Sequence, residues 1–140
     1  MIRRAEKKDS EDVRILMEQL EGHSFDAESF REFYEKALLI KDYLMWVYEL
    51  DGKAVGILTL MIKHPIHHMS MTGEIAELTV HEEFRNRKIG EKLLGFAEDY
   101  AIRNNLSEIE LNSKKIRVDA HRFYFRHGYE DLRNNLTKEF

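Results

Sequence analysis

The chain has 140 residues, enough for one domain with a real core, and its formal charge of −4 argues against a general nucleic-acid binder, so any basic patch is local. It has no cysteine, which excludes disulfides, thiolate zinc sites and a cysteine nucleophile on this chain, and agrees with a cytoplasmic setting. No run approaches the roughly 20 apolar residues of a membrane span, and the charged residues 1–8 are not expected to form a secretory signal.

Residues 2–5 are predicted as an edge strand leading into Ser10, a good N-cap. Val13, Leu16, Met17 and Leu20 then recur at helical spacing, and Gly22 closes that helix. A second helix carries Phe30, Phe33, Tyr34, Ala37 and Leu38 at spacings of three and four. These aromatics are read as cover for a sheet, with the option of walling a substrate cleft. Segments 43–50 and 54–63 are strand-like and flank Asp51-Gly52, a strong hairpin signal, so they should pair antiparallel. His64-Pro65-Ile66-His67-His68 breaks the pattern into a loop before a strand at 73–80.

Ile89, Leu93, Leu94, Ala97 and Tyr100 or Ala101 form the stripe of a long helix over about 88–104, ended by Asn104-Asn105. Segment 107–111 reads as a strand running into Asn112-Ser113 and a basic loop. A short helix follows at 119–126 with Gly128 as its cap, and Tyr129 and 132–138 are predicted to add a last strand or two. The order β, α, α, β, β, β, α, β, α, β predicts a single α/β domain, 1–140, built on a mixed sheet. Strands 73–80 and 107–113, joined by the long helix, should be parallel neighbours in a right-handed βαβ unit.

One stretch carries the chemistry. The strand ending in Leu78-Thr79-Val80 feeds a basic turn, Arg85-Asn86-Arg87-Lys88-Ile89-Gly90, and then a helix start whose first N–H groups have no partner within the helix. Those donors, the positive end of the helix dipole, and Arg85, Arg87 and Lys88 together favour an anion such as a pyrophosphate.

This segment resembles the acetyl-coenzyme A signature of the GNAT N-acetyltransferase superfamily, Arg/Gln-x-x-Gly-x-Gly between strand and helix. Arg85 and Gly90 match, and Lys88 stands where the first glycine would be. A second motif, Ala120-His-Arg-Phe123-Tyr124-Phe-Arg-His-Gly-Tyr129, resembles the superfamily's closing Ala-x-x-Phe-Tyr-x-x-x-Gly-Phe/Tyr. The resemblance implies the acyl-CoA N-acyltransferase fold, in which two parallel strands splay around the pantetheine arm, and acetyl-CoA as cosubstrate. It assigns the cofactor to Leu78, Thr79 and Val80, to Arg85, Asn86, Arg87, Lys88, Ile89, Gly90, Glu91 and Lys92, and to Asn112, Ala120 and Phe123.

Tyr124 matches the tyrosine that usually gives a proton to the departing thiolate, and a phenol of pKa about 10 is protonated at neutral pH. A backbone N–H near Leu78–Val80 could polarise the thioester carbonyl. The amine's proton needs a base, for which Glu74 and Glu77 are candidates. Three apart, they lie on opposite faces of a regular strand, so only one faces the cleft unless a bulge intervenes. Glu77 is favoured as the nearer to the expected carbonyl. Direct transfer without an acyl-enzyme is expected.

Over its whole length the chain is also similar to the aminoalkylphosphonate N-acetyltransferases, through Phe25-Asp26, Phe30-Arg31, His67-His68, Gly73-Glu74-Ile75, Glu77-Leu78 and Asp119 to Tyr124. That implies a small primary amine bearing an anion, contacted by Arg31, His67, His68 and Arg117, with Ser113 also near the amine. His64, His67 and His68 as metal ligands is the alternative for that loop, and no metal is assigned. A peptide amine, or coenzyme binding without catalysis, are the rival functions. A homodimer is a further expectation; nucleic-acid and membrane partners are not.

Overall fold

The computed structural model describes residues 1–140, which divide into two compact units, Met1–Glu110 and Leu111–Phe140. The elements in order are β1 (Ile2–Arg4), α1 (Ser10–Glu21), α2 (Ala27–Ala37), β2 (Tyr43–Leu50), β3 (Lys53–Lys63), β4 (Thr72–Val80), α3 (Ile89–Arg103), β5 (Ile109–Leu111) and α4 (Val118–Arg126). The strands form one mixed sheet in the order β1-β2-β3-β4-β5, the first three pairings antiparallel. Ser107 N–H donates to Met71 O and Gly73 N–H to Glu108 O, so the partner positions advance together, as in parallel pairing. No helix is long and apolar enough to cross a membrane.

Ser10 does not cap α1, because the chain has a better use for its neighbour. Asp9 holds the cap position but makes no capping bond. Its carboxylate instead accepts two bonds from Arg3, at 2.9 and 2.8 Å, and one from the Glu6 N–H at 2.8 Å. Burial would raise the Asp9 carboxyl, but the Arg3 and Glu6 donors outweigh it and hold it below the usual carboxylate range. Arg3 also reaches Glu49 at 2.9 Å, tying β1 to the end of β2. Asp26 caps α2 conventionally, accepting the Ser29 N–H at 2.9 Å.

The sheet buries both faces. On one, Val13, Leu16, Tyr34 and Ala37 of α1 and α2 pack with Met45, Val47, Ala54 and Ile57. On the other, Trp46 meets Phe96 and Tyr100 of α3 at ring distances of 5.1 and 5.3 Å. Gly56 lets the first turns of α3 seat closely: a Cβ there would lie 3.1 Å from Leu93 Cδ1 and 3.3 Å from Ile89 Cγ2.

The register of β4 carries one irregularity with large consequences. Thr59 faces Glu77 and Leu60 faces Ile75, so Ala76 is an extra residue, a β-bulge. Glu74 pairs with Met61 and Glu77 with Thr59, two residues apart on β3. Both glutamates therefore point to one face, against the opposite faces that regular alternation predicts.

The predicted last strands are absent, since no strand follows α4. Past Tyr129 the apolar residues are Leu132, Leu136 and Phe140, widely separated by polar ones, and the two leucines are 74% and 91% exposed. Such a segment lacks the alternating apolar positions that would give a strand a face to bury.

Gly56→Ala should force α3 away from the sheet and cost about 1–2 kcal/mol, a drop in Tm of roughly 3–8 °C in a thermal melt. An unchanged Tm would show that α3 can retreat by a few tenths of an ångström without loss.

Candidate active site

The backbone of the turn before α3 has a conformation suited to an anion. After a single 3₁₀ turn at Glu82–Phe84, Arg85 is extended, while Asn86 and Lys88 both sit in the left-handed region, at φ 65° and 61°. Such alternation points successive N–H groups inward as a nest. Lys88 holds the N-cap position of α3 and offers no side-chain cap, so the first helical N–H groups stay open to a ligand. Arg85, Asn86, Arg87 and Lys88 are all exposed. Arg87 lies over the Phe84 ring at 5.1 Å and Lys92 over Tyr48 at 5.8 Å. Ile89 is buried and anchors the turn.

Beside the turn, β4 exposes its outer edge. His81 N–H bonds Val55 O at 2.8 Å, which sets the parity of the ladder: Thr79 bonds toward β3, and the N–H groups of Leu78 and Val80 point away from it. Gly73 lies opposite Glu108 and β5 has three residues, so β5 runs out before Leu78. The outward Val80 carbonyl accepts Arg85 Nε at 3.2 Å, which fastens the turn to the strand.

On the face of the sheet under α1 and α2 lies an open cleft of about 400 Å³. Its floor is Met45, Ile57, Thr59 and Glu77, and its walls include Met17, Phe30, Phe33, Tyr34 and Tyr43. Glu21, His23 and Phe25, from the end of α1 and the link to α2, line it as well. The rings form a continuous run: His23–Phe25 at 4.8 Å, Phe25–Phe30 at 5.7 Å and Phe30–Tyr34 at 6.2 Å. Phe25 is fixed by its N–H on Glu18 Oε2 at 2.8 Å.

Glu77 is the carboxylate on the cleft floor. Its Oε1 accepts the Tyr43 hydroxyl in a short bond and the Thr59 hydroxyl at 2.6 Å. The Glu77 N–H donates in turn to Thr59 Oγ1 at 2.8 Å. Burial, then the Glu77 charge, push the Tyr43 phenol well above its ordinary range, so it stays a donor. Glu74 is used differently, paired with Lys63 at 3.2 Å, which also pairs with Glu110.

In the second unit, Tyr124 of α4 packs its ring against Phe123 at 5.3 Å and Tyr129 at 5.9 Å. Burial pushes its phenol up to about 12, with the Arg117 charge pulling weakly the other way. The end of α4 turns back at Gly128, and Tyr129 N–H bonds Tyr124 O at 3.1 Å. Asn112 is exposed, and Ser113, Arg117 and Ala120 are half-buried.

With this geometry in place, the chain matches the Acetyltransferase (GNAT) family over residues 11–129. It belongs to the GNAT acetyltransferase family. It is 34% identical to the aminoalkylphosphonate N-acetyltransferase of Salmonella typhimurium over 137 residues, 98% of this chain and 89% of that one. It is 37% identical to an uncharacterized N-acetyltransferase of Archaeoglobus fulgidus over 138 residues, 94% and 92% of the two chains. A solved structure described as a transcriptional regulator from Bacillus halodurans superposes with a TM-score of 0.91 at 22% identity, covering 100% of this chain and 99% of that one. The last shows the fold alone. The chain is thus an acetyl-CoA-dependent acyltransferase, as members of the GNAT family use acetyl-CoA as the acetyl donor.

The GNAT signature explains Lys88. The position given to glycine in the motif has the left-handed backbone that glycine adopts freely, and here lysine adopts it at a cost of about 1 kcal/mol. The other predicted residues are scattered. Arg31 is on the outer side of α2, its side chain 51% exposed and 3.9 Å from Glu35. His68 lies 3.7 Å from Glu108 and edge-on to His67. His64 is 3.4 Å from Asp42. None of these lines the cleft. Sequence reading missed Glu21, His23, Tyr43 and Thr59 as lining residues of the cleft; only the aromatic spacing of α2 hinted at a wall there.

Lys88→Gly should raise stability by about 0.5–1 kcal/mol in a thermal melt, because the left-handed strain goes while the nest remains. Acetyl-CoA affinity by calorimetry should stay within about threefold, since the backbone N–H groups are unchanged. A larger loss would give the Lys88 ammonium a direct phosphate contact.

Proposed function

We propose that the protein transfers the acetyl group of acetyl-CoA directly to a primary amine of a small molecule, with Glu77 as the general base. The observation that carries this reading is the place of Glu77: on the floor of the cleft, one residue before the outward Leu78 N–H. The nest and exposed cations between Arg85 and Gly90 suit the coenzyme's pyrophosphate. The N–H groups of Leu78 and Val80 suit the thioester oxygen, on which negative charge builds during attack.

The reaction forms a C–N bond and breaks the C–S bond. Glu77, directly or through water, takes the proton that the ammonium must lose before attack. The second proton, lost from nitrogen as the amide forms, passes to solvent, from which the phenol that protonates the thiolate is restored. Tyr43 and Thr59 both occupy Oε1 and so fix the carboxylate, leaving Oε2 for that task. Glu74 is the weaker choice because Lys63 neutralises it and it does not line the cleft. Tyr124, by its place in the closing motif, supplies the proton for the thiolate. Asn112, Ala120 and Phe123 are assigned to the coenzyme on the same footing. The name of the Salmonella relative supports a small acceptor.

Glu77→Gln should lower kcat by about 10²-fold or more while leaving acetyl-CoA affinity unchanged; an unaltered kcat would remove Glu77 as the base. Tyr124→Phe should lower kcat by about 10-fold or more, again with normal coenzyme binding. The neutral phenol is the working form and exists below its pKa, which lies near 12. Loss of the acid should therefore cause no fall in kcat between about pH 7 and 10. A descending limb centred near pH 8 would assign the proton to another group.

A further inference from the structure

The charge of the cleft wall selects among amines. Its lining holds two carboxylates, Glu21 and Glu77, five aromatic rings from Phe25 to Tyr43, and no lysine or arginine. His23 is the single lining group able to carry positive charge, and its Nδ1 lies 3.3 Å from Ser24 O. On α2, Phe30, Phe33, Tyr34 and Ala37 share the face toward the cleft, and the spacing that puts them there turns Arg31 away, toward Glu35. A phosphonate placed in this cleft would lose its hydration beside two carboxylates with no cationic fork to replace it. An ammonium on an apolar body meets the reverse: a carboxylate for the charge, aromatic faces for cation and carbon alike.

We propose that the acceptor is an arylalkylamine, a primary amine on an aromatic body carrying no anionic group. The proposal rests on the acetyl-transfer reading above and names the substrate of that site. The amine's nitrogen approaches Glu77, and its ring lies along the Phe25–Phe30–Tyr34 run. Phe33 closes the outer wall; it is 77% exposed, so replacing it spares the core.

The test measures binding and turnover separately. Calorimetry on the full chain with coenzyme A bound should show 2-phenylethylamine binding at least about tenfold tighter than 1-aminoethylphosphonate. Thiol release from acetyl-CoA should rank their kcat/KM values the same way. Phe33→Ala should weaken 2-phenylethylamine about fivefold and leave the phosphonate unchanged. Phe33→Arg, which sets a guanidinium at the rim, should narrow the ratio between the two amines about tenfold. Equal binding of the two amines, tighter binding of the phosphonate, or a ratio that neither variant moves would overturn the proposal. Preferential binding of 2-phenylethylamine with no turnover on any amine would support the acceptor class and remove acetyl transfer from the proposed function.

Discussion

One inserted residue decides what this sheet can do. Ala76 bulges out of β4, and from that point the strand's side chains exchange faces relative to β3. Without it, Glu74 and Glu77 would straddle the sheet, and only one of them could share the face of Thr59. With it, Glu77 enters the cleft under α1 and α2, where Thr59 and Tyr43 are waiting with hydroxyl donors. The bulge also frees the Glu77 N–H from regular pairing, and Thr59 Oγ1 accepts it. A bulge leaves an orphan donor, and one threonine answers both the orphan and the carboxylate.

The second device is conformational and uses backbone where the family motif names glycine. Two left-handed residues, Asn86 and Lys88, fold the basic turn so that amide donors gather at the start of α3. That geometry depends on α3 sitting close to the sheet, which Gly56 permits and buried Ile89 enforces. Arg85 adds a tether from the turn to the Val80 carbonyl. The cationic turn and the carboxylate-bearing cleft have opposite charge.

Much of this was legible in the residues. Hydrophobic spacing located α1, α2 and α3, the Asp51-Gly52 pair located the β2–β3 hairpin, and the basic residues marked the turn that opens α3. These are local features, set by side-chain periodicity, turn chemistry and orphan helix donors, which act within a few residues. The closing motif placed Tyr124 on a short helix beside Phe123 for the same reason.

The rest belonged to tertiary structure. A bulge is a relation between two strands, and counting by twos along β4 alone cannot find it. Asp9 holds the cap position before α1 but makes no capping bond, because Arg3 of β1 claims its carboxylate. The cleft joins residues from Val13 to Glu77, so its carboxylates and aromatic wall become neighbours only when the helices cover the sheet. Tyr129 and 132–138 suggested strands, yet Leu132 and Leu136 are left exposed and no strand forms there. The residues by themselves determined the elements and the basic turn, because both arise from short-range chemistry; which glutamate lines the cleft was decided by how one strand registers against another.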